Sequence, residues 1–151
     1  MAFFRIERVS RLSVGEAWRR VTDWERHAEH TPLTTIVLTT PPPTHVGTRF
    51  VARTAIGPVS FEDPMEVVRW DPPTEHRPHG RCRLEKRGSV VTGWAEVAVH
   101  AGEGGAVSRI AWCEALRARW LPPPLDALIA PVGRLFFGRV MSGLLGDADV
   151  R

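Results

Sequence analysis

Six runs of alternating or β-branched residues follow one another between Thr34 and Ala118, with no helical stretch between them. The runs are Thr34–Thr40, Gly47–Ile56, Val59–Trp70, Gly80–Arg87, Val90–Ala101 and Ala106–Ala118. Proline or glycine punctuates them: Pro41-Pro42-Pro43, Gly57-Pro58, Asp71-Pro72-Pro73, Gly88 and Gly102-Glu103-Gly104-Gly105. Strands joined by connections this short pair antiparallel, because a parallel pair needs a crossover of about a dozen residues or more. Such a meander has one face to bury. From Leu121 to Gly146 the period becomes helical. Leu125, Leu128, Ile129, Val132, Leu135, Phe136, Val140, Leu144 and Leu145 recur every three or four residues, after Pro122-Pro123-Pro124, where a helix can begin. Pro131 and Gly133 are positions for a kink. This segment is the only element large enough to cover the sheet.

Ahead of the meander, Phe3–Ser10 alternates as a first strand with Phe4, Ile6 and Arg8 on one side. Ser13 opens a helix with Glu16 three residues on, a capping box. A second short helix covers Trp24–His30 and stops at Pro32. The expected architecture is α+β: a seven-stranded antiparallel sheet curved around a long C-terminal helix, with two short helices after the first strand. The 151 residues suffice for one domain with its own core, residues 146–151 being a frayed tail. A curved sheet gripping one helix need not fill the space between them, and such spaces bind small molecules.

The chain has no run of about 18 apolar residues, and its first residues lack the pattern of a secretory leader. The expectation is a cytoplasmic protein without stable membrane insertion. Lys86 is the sole lysine, and Asn, Gln and Tyr are absent. That bias avoids A/T-rich codons and points to a GC-rich bacterial genome. The net charge is only +3, with acids interspersed among the arginines, so the footprint of a nucleic-acid binder is missing. Cys82 and Cys113 are too few for a disulfide framework or a thiolate zinc site, and are read as reduced core thiols, with a single bridge between them as the alternative.

The element order resembles the helix-grip fold of the START-like (SRPBCC) superfamily, which includes the birch-pollen-allergen family and bacterial polyketide cyclase/dehydrase and lipid-transport proteins. The residues that carry the resemblance are Val14-Gly15-Glu16-Ala17-Trp18, Thr22-Asp23-Trp24-Glu25-Arg26-His27, Val46-Gly47-Thr48-Arg49-Phe50, Val67-Val68-Arg69-Trp70-Asp71-Pro72-Pro73, Gly93-Trp94-Ala95-Glu96 and Ser108-Arg109-Ile110-Ala111-Trp112. They mark strands, turns and core, not a catalytic signature. The resemblance implies a carrier of a small hydrophobic or lipid-like molecule; the alternative is an aromatase/cyclase-type enzyme acting on a poly-β-keto or aromatic intermediate. Neither a cofactor nor a metal is expected, and the oligomeric state is not legible.

Turn lengths assign the inner face. A three-residue turn at Arg87-Gly88-Ser89 sets Leu84 opposite Thr92 and Cys82 opposite Trp94; a similar turn around Gly102–Gly104 sets Trp94 opposite Trp112 and Thr92 opposite Glu114. A glycine-first turn at Gly57-Pro58 sets Thr54 opposite Phe61. The expected ligand surface is then Phe50, Thr54, Phe61, Met65, Arg69, Leu84, Trp94, Glu96, Trp112 and Glu114 from the sheet, with Leu128, Val132 and Phe136 from the helix. Glu96, Glu114 and Arg69 form a polar floor, or else lie near strand ends and pair with surface arginines. Trp94 and Trp112 make a stacking platform or ordinary core. Catalytic candidates are Glu96, Glu114 and His30. Asp23, His27 and His30 have helical spacing, but no further ligand supports a metal site. Ser108 and Ser142 lack a nucleophile elbow, and Gly102–Gly105 precedes a strand, not a helix.

Overall fold

The structure is a computed structural model that describes residues 2–102, 104, 107–146 and 149–150. In chain order the elements are β1 (Ala2–Ser10), α1 (Val14–Val21), α2 (Trp24–Glu29), β2 (Thr34–Leu38), β3 (Arg49–Ile56), β4 (Val59–Asp71), β5 (His79–Arg87), β6 (Val91–Ala101), β7 (Ser108–Ala118), a 3₁₀ turn (Pro123–Leu128), α3 (Ile129–Leu145) and β8 (Asp149–Val150). The strands form one antiparallel sheet in the order β2-β3-β4-β5-β6-β7-β1-β8. Seven of its strands and all three α-helices fall where the periodicity places them. The eighth corrects the reading of a frayed tail, because Asp149 and Val150 pair with Ser10 and Val9; residues 147, 148 and 151 lie outside the described residues.

The Ser13 side chain caps α1 by accepting from the Glu16 amide at 3.2 Å. The return half of the capping box is not made, because Glu16 turns to Arg19 (2.7 Å) and Arg20 (3.1 Å), which lowers its pKa. Asp23 caps α2. The C-terminal segment begins as a 3₁₀ turn, and the α-helix starts only at Ile129. Its Gly133 lies against the Phe4 ring, and Val140, Met141, Leu144 and Leu145 are buried. By length and mean hydropathy (1.4) Pro123–Leu145 would suffice to cross a bilayer, although Arg134 and Arg139 interrupt its apolar run. Its buried C-terminal half makes it the helix of the core.

The helices divide the inner face between them. α3 packs chiefly on β1, α2 on β2, and α1 on β6 and β7. No helix packs as extensively on β3, β4 or β5, and Thr54, Phe61 and Met65 on the inner side of β3 and β4 are only half-buried.

Three register features decide which side chains look inward. The loop between β5 and β6 pairs Arg87 with Thr92, three residues out of step with the expected turn. The loop between β6 and β7 pairs Ala101 with Ser108, again three residues out of step; positions 103, 105 and 106 of that loop lie outside the described residues. Each odd slip exchanges the two faces of a strand. β6 is therefore inverted, with Thr92, Trp94 and Glu96 outside and Ala95, Val97 and Val99 inside. At β7 the two slips cancel, and Ile110, Trp112 and Glu114 face inward as expected. In β4 Pro64 causes no slip, but a bulge between Val67 and Arg69 sets Arg69 opposite Arg83 and Trp70 opposite Cys82.

Candidate functional site: a buried charge cluster under the sheet

The alternation that puts Arg81, Arg83 and Arg87 in solvent puts Lys86 inside. Its side chain is 5% exposed. Its Nζ lies 2.7 Å from Asp63 Oδ2 on β4 and 3.1 Å from Glu114 Oε1 on β7, so three strands converge on one ammonium. The Trp112 indole N–H donates to the other Glu114 oxygen, Oε2, at 3.1 Å. Met65 Sδ approaches Lys86 Nζ at 3.9 Å. Burial alone would lower the Lys86 pKa; the Glu114 and Asp63 carboxylates more than offset it, and the group is held above the ordinary lysine range. One oxygen is left over: Asp63 Oδ1 is buried and has no hydrogen-bond partner among the described residues.

Beside this cluster the interior is filled by rings in series. Phe50 stacks on Trp24 (5.1 Å), Trp24 meets His27 (5.8 Å), His27 meets Trp112 (5.5 Å), and Trp112 stacks on Phe137 of α3 (5.9 Å), which stacks on Phe4 (5.6 Å). Each contact adds about 0.5–1.5 kcal/mol beyond area burial. His27 sits in this series with Nε2 at 2.8 Å from the Val21 carbonyl oxygen, and burial lowers its pKa. The Trp24 indole N–H is buried there without an acceptor.

The expected site residues divide accordingly. Phe50, Leu84 and Trp112 are inner-face residues built into the core, each 5% exposed or less. Thr54, Phe61 and Met65 are half-buried on the inner side of β3 and β4, with Thr54 hydroxyl-bonded to Thr34 at 2.9 Å and directly opposite Phe61. Glu114 belongs to the charge cluster. Leu128, Val132 and Phe136 stand on exposed surface at the start of the C-terminal helical segment.

Three expectations are corrected. Glu96 is on the outer face, ion-paired with Arg81 (3.0 Å) and Arg83 (3.7 Å), because of the β6 inversion. Trp94 is outside for the same reason, under the Arg83 guanidinium at 4.3 Å, so it shares no platform with Trp112. Arg69 is turned outward by the bulge and pairs with Asp71 at 2.6 Å. Of the three residues expected to form a polar floor only Glu114 faces inward, where it pairs with Lys86, which also holds Asp63. Parity along β5 and β4 was the available signal: Lys86 shares a face with Cys82 and Leu84, and Asp63 with Phe61 and Met65.

His30 packs against α3, where a Cβ on Gly143 would lie 2.4 Å from its Nδ1. Asp23, His27 and His30 thus go to a cap, a carbonyl and a helix contact. A cavity of about 240 Å³ opens on the sheet's outer face, lined by Arg5, Arg81, Glu96, His100, Arg109 and Cys113 among others. Cys113 faces it, 3.5 Å from Arg5 Nη1, whereas Cys82 faces the core. The reading of two core thiols therefore holds for Cys82 alone. Burial pushes the Cys82 thiol up to about 12. At mild alkaline pH iodoacetamide is expected to label Cys113 in the folded protein and to reach Cys82 only in denaturant, as read by peptide mass mapping. Equal labelling without denaturant would contradict this packing.

No family model matches the sequence, and no curated protein matches it. Solved structures do. A START superfamily protein from Mycobacterium smegmatis superposes with a TM-score of 0.69 at 10% identity, over 95% of this chain and 96% of its own. The lipid transfer and protein localization domain of human StarD13 gives 0.71 at 9% identity, over 96% and 77%. The aromatase/cyclase Zhui from Streptomyces gives 0.59 at 10% identity, over 97% and 93%. The architecture is the START-like helix-grip fold. At these identities the likeness is one of fold.

Proposed function

We propose that the protein binds a small, largely apolar molecule on the inner side of β3 and β4, and that the molecule carries a hydrogen-bond donor, a hydroxyl or an amine, for Asp63. The observation that carries this reading is the unpaired Asp63 Oδ1 beside Lys86. A buried carboxylate oxygen without a donor costs about 1–3 kcal/mol or more, and a guest with an O–H or N–H relieves that cost. Thr54, Phe61 and Met65 supply the half-buried lining. The neighbouring lipid-transfer and aromatase/cyclase structures support a hydrophobic guest in this fold. Binding is favoured over turnover because the Lys86 ammonium is locked between two carboxylates, where it neither attacks nor takes a proton.

The test uses three probes of one chain length: a long-chain alcohol, its methyl ether and the corresponding carboxylic acid. Calorimetry is expected to show the alcohol binding about tenfold or more tighter than the ether, since a hydrogen bond to a charged group is worth about 1.5–3 kcal/mol. Asp63→Leu is expected to erase that difference while keeping apolar affinity. Equal affinity for alcohol and ether would remove the donor requirement. No binding of any probe would remove the apolar-guest reading itself.

A further inference from the structure

One end of the molecule gathers most of its exposed large apolar side chains, Val37 and Val46 lying elsewhere. The Gly57-Pro58 turn, the loop after Arg87 and the end of β7 share that end, because Ile56 pairs with Val59, Arg87 with Thr92, and Val91 with Ala118. The C-terminal helical segment starts there and runs along β1: Gly133 abuts Phe4, and Gly138, one turn further on, lies beside Arg8. At this end Val59 is 65% exposed, Trp120 66%, and Leu33 65%. Leu33 sits beside Ala55, whose amide it accepts at 3.0 Å. It is held at φ +61°, which leucine rarely takes. Leu125, Leu128, Val132 and Leu135 follow at spacings of three, four and three, on the side of the helical segment turned away from the buried Val140 and Leu144. A concentration of large exposed apolar residues on one end marks an interaction surface.

Charge decides the partner. From Arg117 to Arg139 the sequence holds four arginines against a single carboxylate, Asp126. Arg117, Arg119 and Arg134 are exposed, and none has an ion-pair partner among the described residues. Apolar side chains flanked by unpaired cations fit an anionic lipid surface, where the arginines meet headgroups and the leucines enter the acyl boundary. We propose that this end docks the protein onto bilayers containing anionic lipid. The proposal goes beyond ligand binding in the interior and rests on separate residues.

The experiment is cosedimentation of the full chain with vesicles of phosphatidylcholine alone and of phosphatidylcholine mixed with phosphatidylglycerol. Binding to the mixed vesicles is expected, weak binding to the neutral ones, and loss of the difference in high salt. Arg117→Gln with Arg119→Gln is expected to weaken mixed-vesicle binding by about fivefold per arginine. Leu128→Glu with Val132→Glu is expected to abolish binding. All four side chains are exposed, so thermal melts should show the fold intact, and the long-chain alcohol should still bind in solution. Quenching of Trp120 by brominated lipid, absent in Trp120→Phe, places this end in the interface. Failure to bind either vesicle, or equal binding to both at low salt, overturns the proposal. So does a dimer, measured by light scattering, that Leu128→Glu dissociates, because the apolar face then belongs to a second copy of the chain.

Discussion

Lys86→Met is expected to lower unfolding stability by about 3–5 kcal/mol, the cost of breaking a buried ion pair from one side. The substitution keeps the volume and removes the cation that, among the described residues, pairs with both Asp63 Oδ2 and Glu114 Oε1. Two carboxylates then remain under the sheet, with the Trp112 N–H as a donor to Glu114 and not to Asp63. The loss exceeds that of an exposed pair such as Arg5–Glu7, whose attraction is screened by solvent. Urea unfolding at neutral pH measures it. Adding Asp63→Asn and Glu114→Gln to Lys86→Met should recover most of the loss, because the charges then leave together. A single variant as stable as the wild type would show that the two carboxylates do not depend on the lysine. The pH dependence has a definite sign. The folded-state pKa of Lys86 lies above its unfolded value, so its contribution is complete below about pH 10.4 and is lost as pH rises through the folded value. Around neutrality Lys86 itself adds no slope to stability against pH.

Gly93→Ala is expected to be comparably severe, about 3 kcal/mol or more, for a backbone reason. Gly93 is at φ +133°, and a Cβ there would lie 1.9 Å from the Ala115 carbonyl oxygen. The backbone conformation alone costs on the order of 1–3 kcal/mol for any other residue. The clash is with β7 itself, which cannot swing aside as a side chain would. Gly93 pairs with Lys86 on one side and Leu116 on the other, so relief of the clash moves the strand that carries Glu114. Thermal unfolding of the variant should show a large drop in Tm, with loss of alcohol-probe affinity in whatever remains folded. A melt within a few degrees of wild type would mean that β6 and β7 do not approach this closely.

The two variants probe what the sequence showed least well. The strands were legible because alternation, β-branching and proline-glycine punctuation are local signals, and their ends fall within a few residues of the expected ones. The C-terminal helix was legible from its period. The inner face was legible only where strand parity was fixed by something local. The Gly57-Pro58 turn gave Thr54 opposite Phe61, and the arginines of β5 gave Leu84 inside. It failed where parity depended on loop length, as at Trp94 and Glu96, and where a bulge intervened, as at Arg69. Glu114 was placed correctly only because two odd errors cancelled.

The sequence by itself determined the element order, the antiparallel meander and the helix that covers it, because each follows from periodicity within a few turns of chain. Tertiary structure alone decided that Asp63, Lys86 and Glu114 meet. They come from three different strands, and their meeting depends on loop lengths and on one inserted residue in β4. It also decided that the first half of the C-terminal helical segment shows an apolar side to solvent. An apolar stripe in sequence reads the same whether its partner is a core or a membrane, and only packing against β1 separates the buried face from the exposed one.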